Sequence, residues 1–144
     1  MRYTTTLTVV VSVVAAMVHP VIPNPTPGAN VVTTDELYHW LDTTDADITF
    51  IGKPIDRNAP RSAEDVTVIY CSKIVGSICS GPCTVYYGGP TCLYAPDTNC
   101  LSASDNVAFC DGSDCNGSCN MFGSCGGRMD NGFCATPGTN SILV

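Results

Sequence analysis

The sequence predicts a single small α+β domain held by disulfides, a short sheet covered by helices in an αβα-sandwich-like arrangement. Three observations carry that expectation. All ten cysteines fall at 71, 79, 83, 92, 100, 110, 115, 119, 125 and 134, an even set that, behind a secretion signal, reads as a disulfide framework. Residues 33–42 carry a complete helix-start signal. From Val66 to Cys110, β-branched and aromatic runs alternate with Gly, Pro and Asn, which is the composition of strands and turns.

The chain opens with Arg2 and then LTVVVSVVAAMV, an apolar run too short to span a bilayer, with small residues at Ala15-Ala16. This is the pattern of a secretory signal peptide over residues 1–16. Residues 17–32 hold Pro20, Pro23, Pro25 and Pro27 and form an extended Pro-rich segment. The disulfide-rich domain is expected over 33–144, in a secreted, extracellular protein.

Thr33-Thr34-Asp35-Glu36 matches a capping box, with Val32 and Leu37 at the staple positions. Leu37, Trp40 and Leu41 then share one face of a helix over about 34–42. Trp40 suits core packing better than a ligand platform. Ile48–Ile51 reads as a short strand ended by Gly52-Lys53-Pro54, and 56–65 as a polar loop. Val66–Cys71 is nearly all apolar and β-branched, which suits a central strand covered on both faces. Residues 73–79, with Ile74, Val75 and Ile78, read as a second helix. Cys83–Tyr87 and Thr91–Tyr94 read as a hairpin about Gly88-Gly89-Pro90, and Val107–Cys110 as a further strand. Asn131-Gly132 and Pro137-Gly138 are turn pairs; the second closes a hairpin between Phe133-Cys134 and 141–144.

Formal charge is −7 with only six Lys+Arg. Phosphate binding needs clustered bases, so nucleic acid is not an expected partner. An acidic chain is equally ill suited to anionic membranes, and no later stretch is long and apolar enough to insert.

Motifs for chemistry are weak. Cys115 and Cys119 have a zinc-like spacing, but in an oxidising compartment thiols pair with each other, so no metal and no cofactor are expected. Residues 111–116 lack the alternating ligands of a calcium loop. Cys79 and Cys83 stand one residue too far apart for a thioredoxin-type pair, and a structural role is expected. The two histidines are His19 and His39, and no nucleophile-elbow motif accompanies them. Asp97, Asp105, Asp111 and Asp114 offer carboxylate pairs, which thirteen acids supply by chance. The expectation is a protein that is not an enzyme. Asn116-Gly117-Ser118 is an N-glycosylation sequon, making Asn116 the acceptor.

One constellation suits binding. Tyr87, Tyr94, Asp97 and Asn99 cluster in sequence, bracketed by Cys92 and Cys100. Aromatic rings stack on sugar C–H faces while Asp and Asn bond the hydroxyls. Tyr86 points opposite to Tyr87 along a strand and cannot serve with it. The loop from Asp111 to Asn120 is next in line. The competing reading is a toxin-like effector or protease inhibitor, with Pro60-Arg61-Ser62 as the inhibitory or processed loop.

The segments TTDADITFIGKPI, CTVYYGGPTC, TNCLSASDNVAFCD and NGFCATPGTNSI together resemble a group of small cysteine-rich secreted proteins of mushrooms that includes glycan-binding, lectin-like members. The resemblance covers about residues 33–144. It implies an α/β sandwich, a defence or recognition role, and cell-surface or cell-wall glycans as partners.

Overall fold

Among the described residues, strands (49%) far outweigh helix (14%). The computed structural model describes residues 31–144; the signal peptide expected over 1–16 and most of the 17–32 segment lie outside them. In chain order the elements are α1 (Thr34–Thr43), β1 (Asp47–Gly52), β2 (Val66–Val75), β3 (Ile78–Gly88), β4 (Cys92–Ala103), β5 (Ala108–Cys110), β6 (Cys119–Met121) and β7 (Cys134–Leu143), with two 3₁₀ turns at 122–124 and 130–132. The seven strands form one sheet in the order β1-β3-β2-β4-β7-β5-β6. β1 is parallel to β3, and every other pairing is antiparallel. The expected α+β sandwich, a short sheet covered by helices, is therefore incorrect: one α-helix accompanies a seven-stranded sheet among the described residues.

α1 forms where its capping box stands. The Glu36 N–H donates to Thr33 Oγ1 (3.3 Å), and the Thr33 N–H donates back to Glu36 Oε2 (2.8 Å). Hydrogen bonding from Thr33 holds the Glu36 carboxyl below its ordinary range. Leu37, Tyr38 and Trp40 are buried, and the Trp40 ring lies 5.0 Å from Phe133, so Trp40 is a core residue. Val32, expected in the extended segment, is also buried and donates its N–H to Ala103 O (3.0 Å).

The second helix expected at 73–79 is instead the β2–β3 hairpin. Val75 pairs with Ile78 across Gly76-Ser77, and Gly76 alone of the two has positive φ (64°), as a type II′ turn requires. The run is too short to repay helix nucleation, and Ile74, Val75 and Ile78 are all β-branched. The Ser77 hydroxyl donates to Asp130 (2.8 Å), tying the turn to the second 3₁₀ segment.

The expected Cys83–Tyr94 hairpin does not form either. β2 lies between β3 and β4, pairing with both, which leaves it buried on both faces from Val66 to Cys71. The closing hairpin about Pro137-Gly138 is likewise absent: Cys134–Leu143 is one strand with a bulge in it. Ala95-Pro96-Asp97-Thr98 in β4 and Thr136-Pro137-Gly138-Thr139 in β7 are two copies of one device. Each places proline before a residue of positive φ (Asp97 59°, Gly138 81°), as in a type II turn. Each ends on a threonine whose Oγ1 donates three residues back, Thr98 to Ala95 O (2.9 Å) and Thr139 to Thr136 O (2.7 Å). The two threonines face each other across the strands.

These paired bulges bend the sheet. A straight β4 would hold Cys92 and Ala103 roughly 36 Å apart at ~3.3 Å per residue. Yet Ala108 lies in the Cys92 row, two strands over through Leu143, and five residues span at most about 18 Å from Ala103. Adding two strand spacings of about 4.8 Å brings that to roughly 27 Å, so β4 must bend back at Ala95–Thr98. The core lies inside the bend, where Leu93, Ala95, Leu101, Ala103 and Ile142 are buried in one cluster with Val68, Ile69 and Val85.

The ten cysteines form five bridges: Cys71–Cys83, Cys79–Cys100, Cys92–Cys115, Cys110–Cys119 and Cys125–Cys134. Cys83, Cys71 and Cys100 stand in one row across β3, β2 and β4, so the first two bridges clamp the three central strands together.

Candidate functional site

Tyr94 and Ser141 are direct cross-strand partners in β4 and β7, so their side chains emerge on the same face. Ser141 is buried because residues 112–115 lie over it: its Oγ accepts from the Cys115 N–H (2.8 Å) and donates to Gly112 O. Tyr94 has no such cover and is 70% exposed. The loop after β5 is thus seated on the face that presents the Tyr94 ring.

Two bridges hold that loop. Cys92, two residues before Tyr94 and on the same face, bonds Cys115; Cys110 and Cys119 close its base where β5 pairs with β6. Inside it the Asp111 N–H donates to Ser118 O (3.1 Å), Asp111 Oδ1 accepts from the Ser118 N–H (2.8 Å), and the Gly112 N–H donates to Asn116 O (3.1 Å). Asn140 Nδ2 donates to Asp111 O (2.7 Å) from β7. The chain needs positive φ at Cys115 (55°) and Gly117 (80°) to turn this tightly. Asp114 and Asn116 are exposed at its tip, and the Asp114 carboxylate has no ion-pair or hydrogen-bond partner among the described residues.

The next row of the same face is apolar. Cys92, Leu143, Ala108 and Met121 line up across β4, β7, β5 and β6, with Leu143 48% and Met121 42% exposed. The face therefore combines an exposed ring, two exposed aliphatic side chains and a braced polar loop.

Of the four residues expected to bind ligand, Tyr94 lies on this surface. Asp97 is exposed at the β4 bulge, three residues on, with no partner among the described residues. Asn99 is occupied in holding strands together, donating from Nδ2 to Ser72 O (2.6 Å). Tyr87 belongs to another neighbourhood: its cross-strand partners are Gly52 and Thr67, and Lys53, Asp65 and Tyr38 surround it. Burial, and after it the Asp65 carboxylate, push the Tyr87 phenol above the ordinary tyrosine range. Tyr86 is buried and donates its hydroxyl to Gly89 O (2.6 Å).

Sequence reasoning missed the contribution of Met121 and Leu143 and ranked the Asp111–Asn120 loop second. Cys92 was the available signal, since a cysteine in the Tyr94 strand must reach somewhere, but its partner could not be read. The other cysteine spacings also resolve differently from their appearance. Cys115 and Cys119 belong to separate bridges, as do Cys79 and Cys83.

Arg61, the basic residue of the alternative inhibitory loop, has a 41% exposed side chain. Its guanidinium lies 5.1 Å from the Tyr38 ring centre, with Arg57 also against that ring at 4.7 Å. Arg61 also approaches Asp35 at 3.5 Å, and Arg57 makes a two-pronged pair with Asp42 (2.7 and 2.8 Å). Three of the six basic residues, Lys53, Arg57 and Arg61, thus gather beside α1 and β1. The charged residues of the loop seated beside Tyr94, Asp111 and Asp114, are acidic.

No helix among the described residues is long and apolar enough to cross a membrane, and the five bridges are consistent with an extracellular protein. Comparison with known proteins finds no matching family model, no matching curated protein and no matching solved structure.

Proposed function

We propose that this is a secreted glycan-binding protein, acting in recognition or defence without catalysis, and that it engages sugar through the Tyr94 face. The observation that carries the reading is the 70% exposed Tyr94 ring on a paired strand beside a polar loop fixed by two disulfides. Sugars are well hydrated and bind weakly, so a site must be ordered in advance to hold them. A rigid ring for stacking and exposed Asp97, Asp114 and Asn116 for hydroxyls meet that requirement. The acidic surroundings favour neutral or amino sugars over sulfated or sialylated ones. The resemblance of residues 33–144 to lectin-like cysteine-rich proteins of mushrooms supports the same reading.

The test is a glycan array with oxidised protein, followed by titration of hits against variants. Tyr94→Ala removes a stacking ring worth about 1–3 kcal/mol and should weaken binding about 5- to 150-fold. Asp97→Ala should weaken it as well, and Tyr87→Ala should leave it unchanged. A blank array at tens of micromolar protein overturns the proposal, and so does a hit insensitive to Tyr94→Ala.

A further inference from the structure

We infer that the β1 edge of the sheet is a self-association surface that pairs antiparallel with β1 of a second copy of this chain. β1 bonds only to β3 among the described strands, and its residues from Asp47 to Gly52 are exposed or half-buried, with Phe50 62% and Ile51 39% exposed. An uncovered edge strand with apolar side chains is a template for another strand, and natural proteins usually shield one with charge, proline or a cap. Ile48-Thr49-Phe50-Ile51 holds none of those, with Asp47 before it and Lys53-Pro54 only after Gly52. At the opposite end of the sheet, β6 is three residues long and tied by Cys119.

The register follows from backbone geometry. The Lys53 N–H donates to Tyr87 O (2.7 Å), and groups facing one neighbour recur at every second residue, so Thr49 and Ile51 face β3. Ile48 and Phe50 turn their N–H and C=O groups outward. Two copies related by a two-fold axis then meet with Phe50 opposite Phe50, Ile48 opposite Gly52 and Thr49 opposite Ile51. That alignment sets Asp47 of each chain opposite Lys53 of the other. Asp47 is exposed and has no ion-pair partner among the described residues, and the Lys53 side chain, 58% exposed, already pairs with Asp65 (2.7 Å) and would bridge the two carboxylates. Slipping the strands by two residues either way sets Asp47 against Ile51 or Ile55 and breaks up the phenylalanine pair. Charge complementarity thus selects a second copy in this one register. A groove of about 580 Å³, lined by Leu41, Asp42, Phe50, Ile51, Ile55 and Arg57 among others, adjoins the edge.

The experiment is sedimentation analysis of the oxidised full chain across a concentration series, with single-residue variants. The parent should pass from one-chain to two-chain mass as concentration rises, and Phe50→Lys should remain one chain. Asp47→Lys alone sets lysine against Lys53, and Lys53→Glu alone sets glutamate against Asp47, so each should lose association at least tenfold. Mixed in equal amounts, the two variants regain both opposite-charge pairs and should form a mixed dimer. A parent that stays monomeric, a Phe50→Lys dimer, or a mixture that fails to associate overturns the inference. So does association that appears only when residues 1–30 are removed, since that segment would then be the native occupant of the edge.

Discussion

Breaking the Cys92–Cys115 bridge with Cys92→Ser and Cys115→Ser tests the brace beneath the Tyr94 face. The bridge closes a loop of sequence separation 23. It is interlocked with Cys79–Cys100 and Cys110–Cys119, because Cys92 lies within the first loop and Cys115 within the second. Neither offers a useful shortcut: crossing from Cys110 to Cys119 and back to Cys115 is no shorter than following the chain. The loop-closure estimate therefore applies nearly undiminished, at about 3.4 kcal/mol at 25 °C. For a domain of this size that lowers the melting temperature by roughly 12 °C. The fold should survive, since β4 and β7 keep their pairing and four bridges remain. Thermal unfolding without reductant measures the loss, and peptide mapping confirms that the other four bridges are intact. A variant melting within about 2 °C of the parent would refute the pairing or the loop argument. Glycan affinity should fall in the same variant because the loop loses its fixed position beside Tyr94.

Three further outcomes follow from local features. Phe122→Ala empties a fully buried position under the 3₁₀ turn and should cost about 3–5 kcal/mol in denaturant unfolding. Gly138→Ala meets no atom within 4 Å but sits at φ 81°; its cost of about 1 kcal/mol is backbone strain, and Gly126→Ala, equally unobstructed and without positive φ, should change stability by less than about half that. Thr33→Ala should cost about 1 kcal/mol through loss of the helix cap. The Glu36 half of that cap depends on pH: its folded-state pKa is lowered, so its contribution is present above the unfolded value and lost as pH falls through the folded one. The stability difference between the parent and Glu36→Gln should accordingly shrink between roughly pH 5 and 3, read from denaturation midpoints at each pH.

Some of this architecture was legible in the sequence because the physics that decides it is local. Thr33 and Glu36 are three residues apart and complete their reciprocal bonds without help from the rest of the chain, so α1 could be placed nearly to the residue. Ile48–Ile51 and Val66–Cys71 carry β-branched runs that only a sheet accommodates well, and the nearly continuous apolar character of the second marked it as covered on both faces, as its burial shows. The even set of ten cysteines indicated a disulfide framework, since oxidised thiols pair. What the sequence left undecided depends on contacts far apart in the chain. Residues 73–79 satisfy a helical spacing and a hairpin about Gly76-Ser77 equally well, and the choice falls to pairing with distant partners. β2 separates β3 from β4 because the hydrogen bonds of its both edges are filled there, a gain no short window displays. The bend at Ala95–Thr98 required its twin at Thr136–Thr139 in the neighbouring strand. Tyr94 kept its place in the candidate site while Tyr87 left it, because membership of a face is set by which strands pair and which cysteines meet. Those are long-range choices, and only the folded chain makes them.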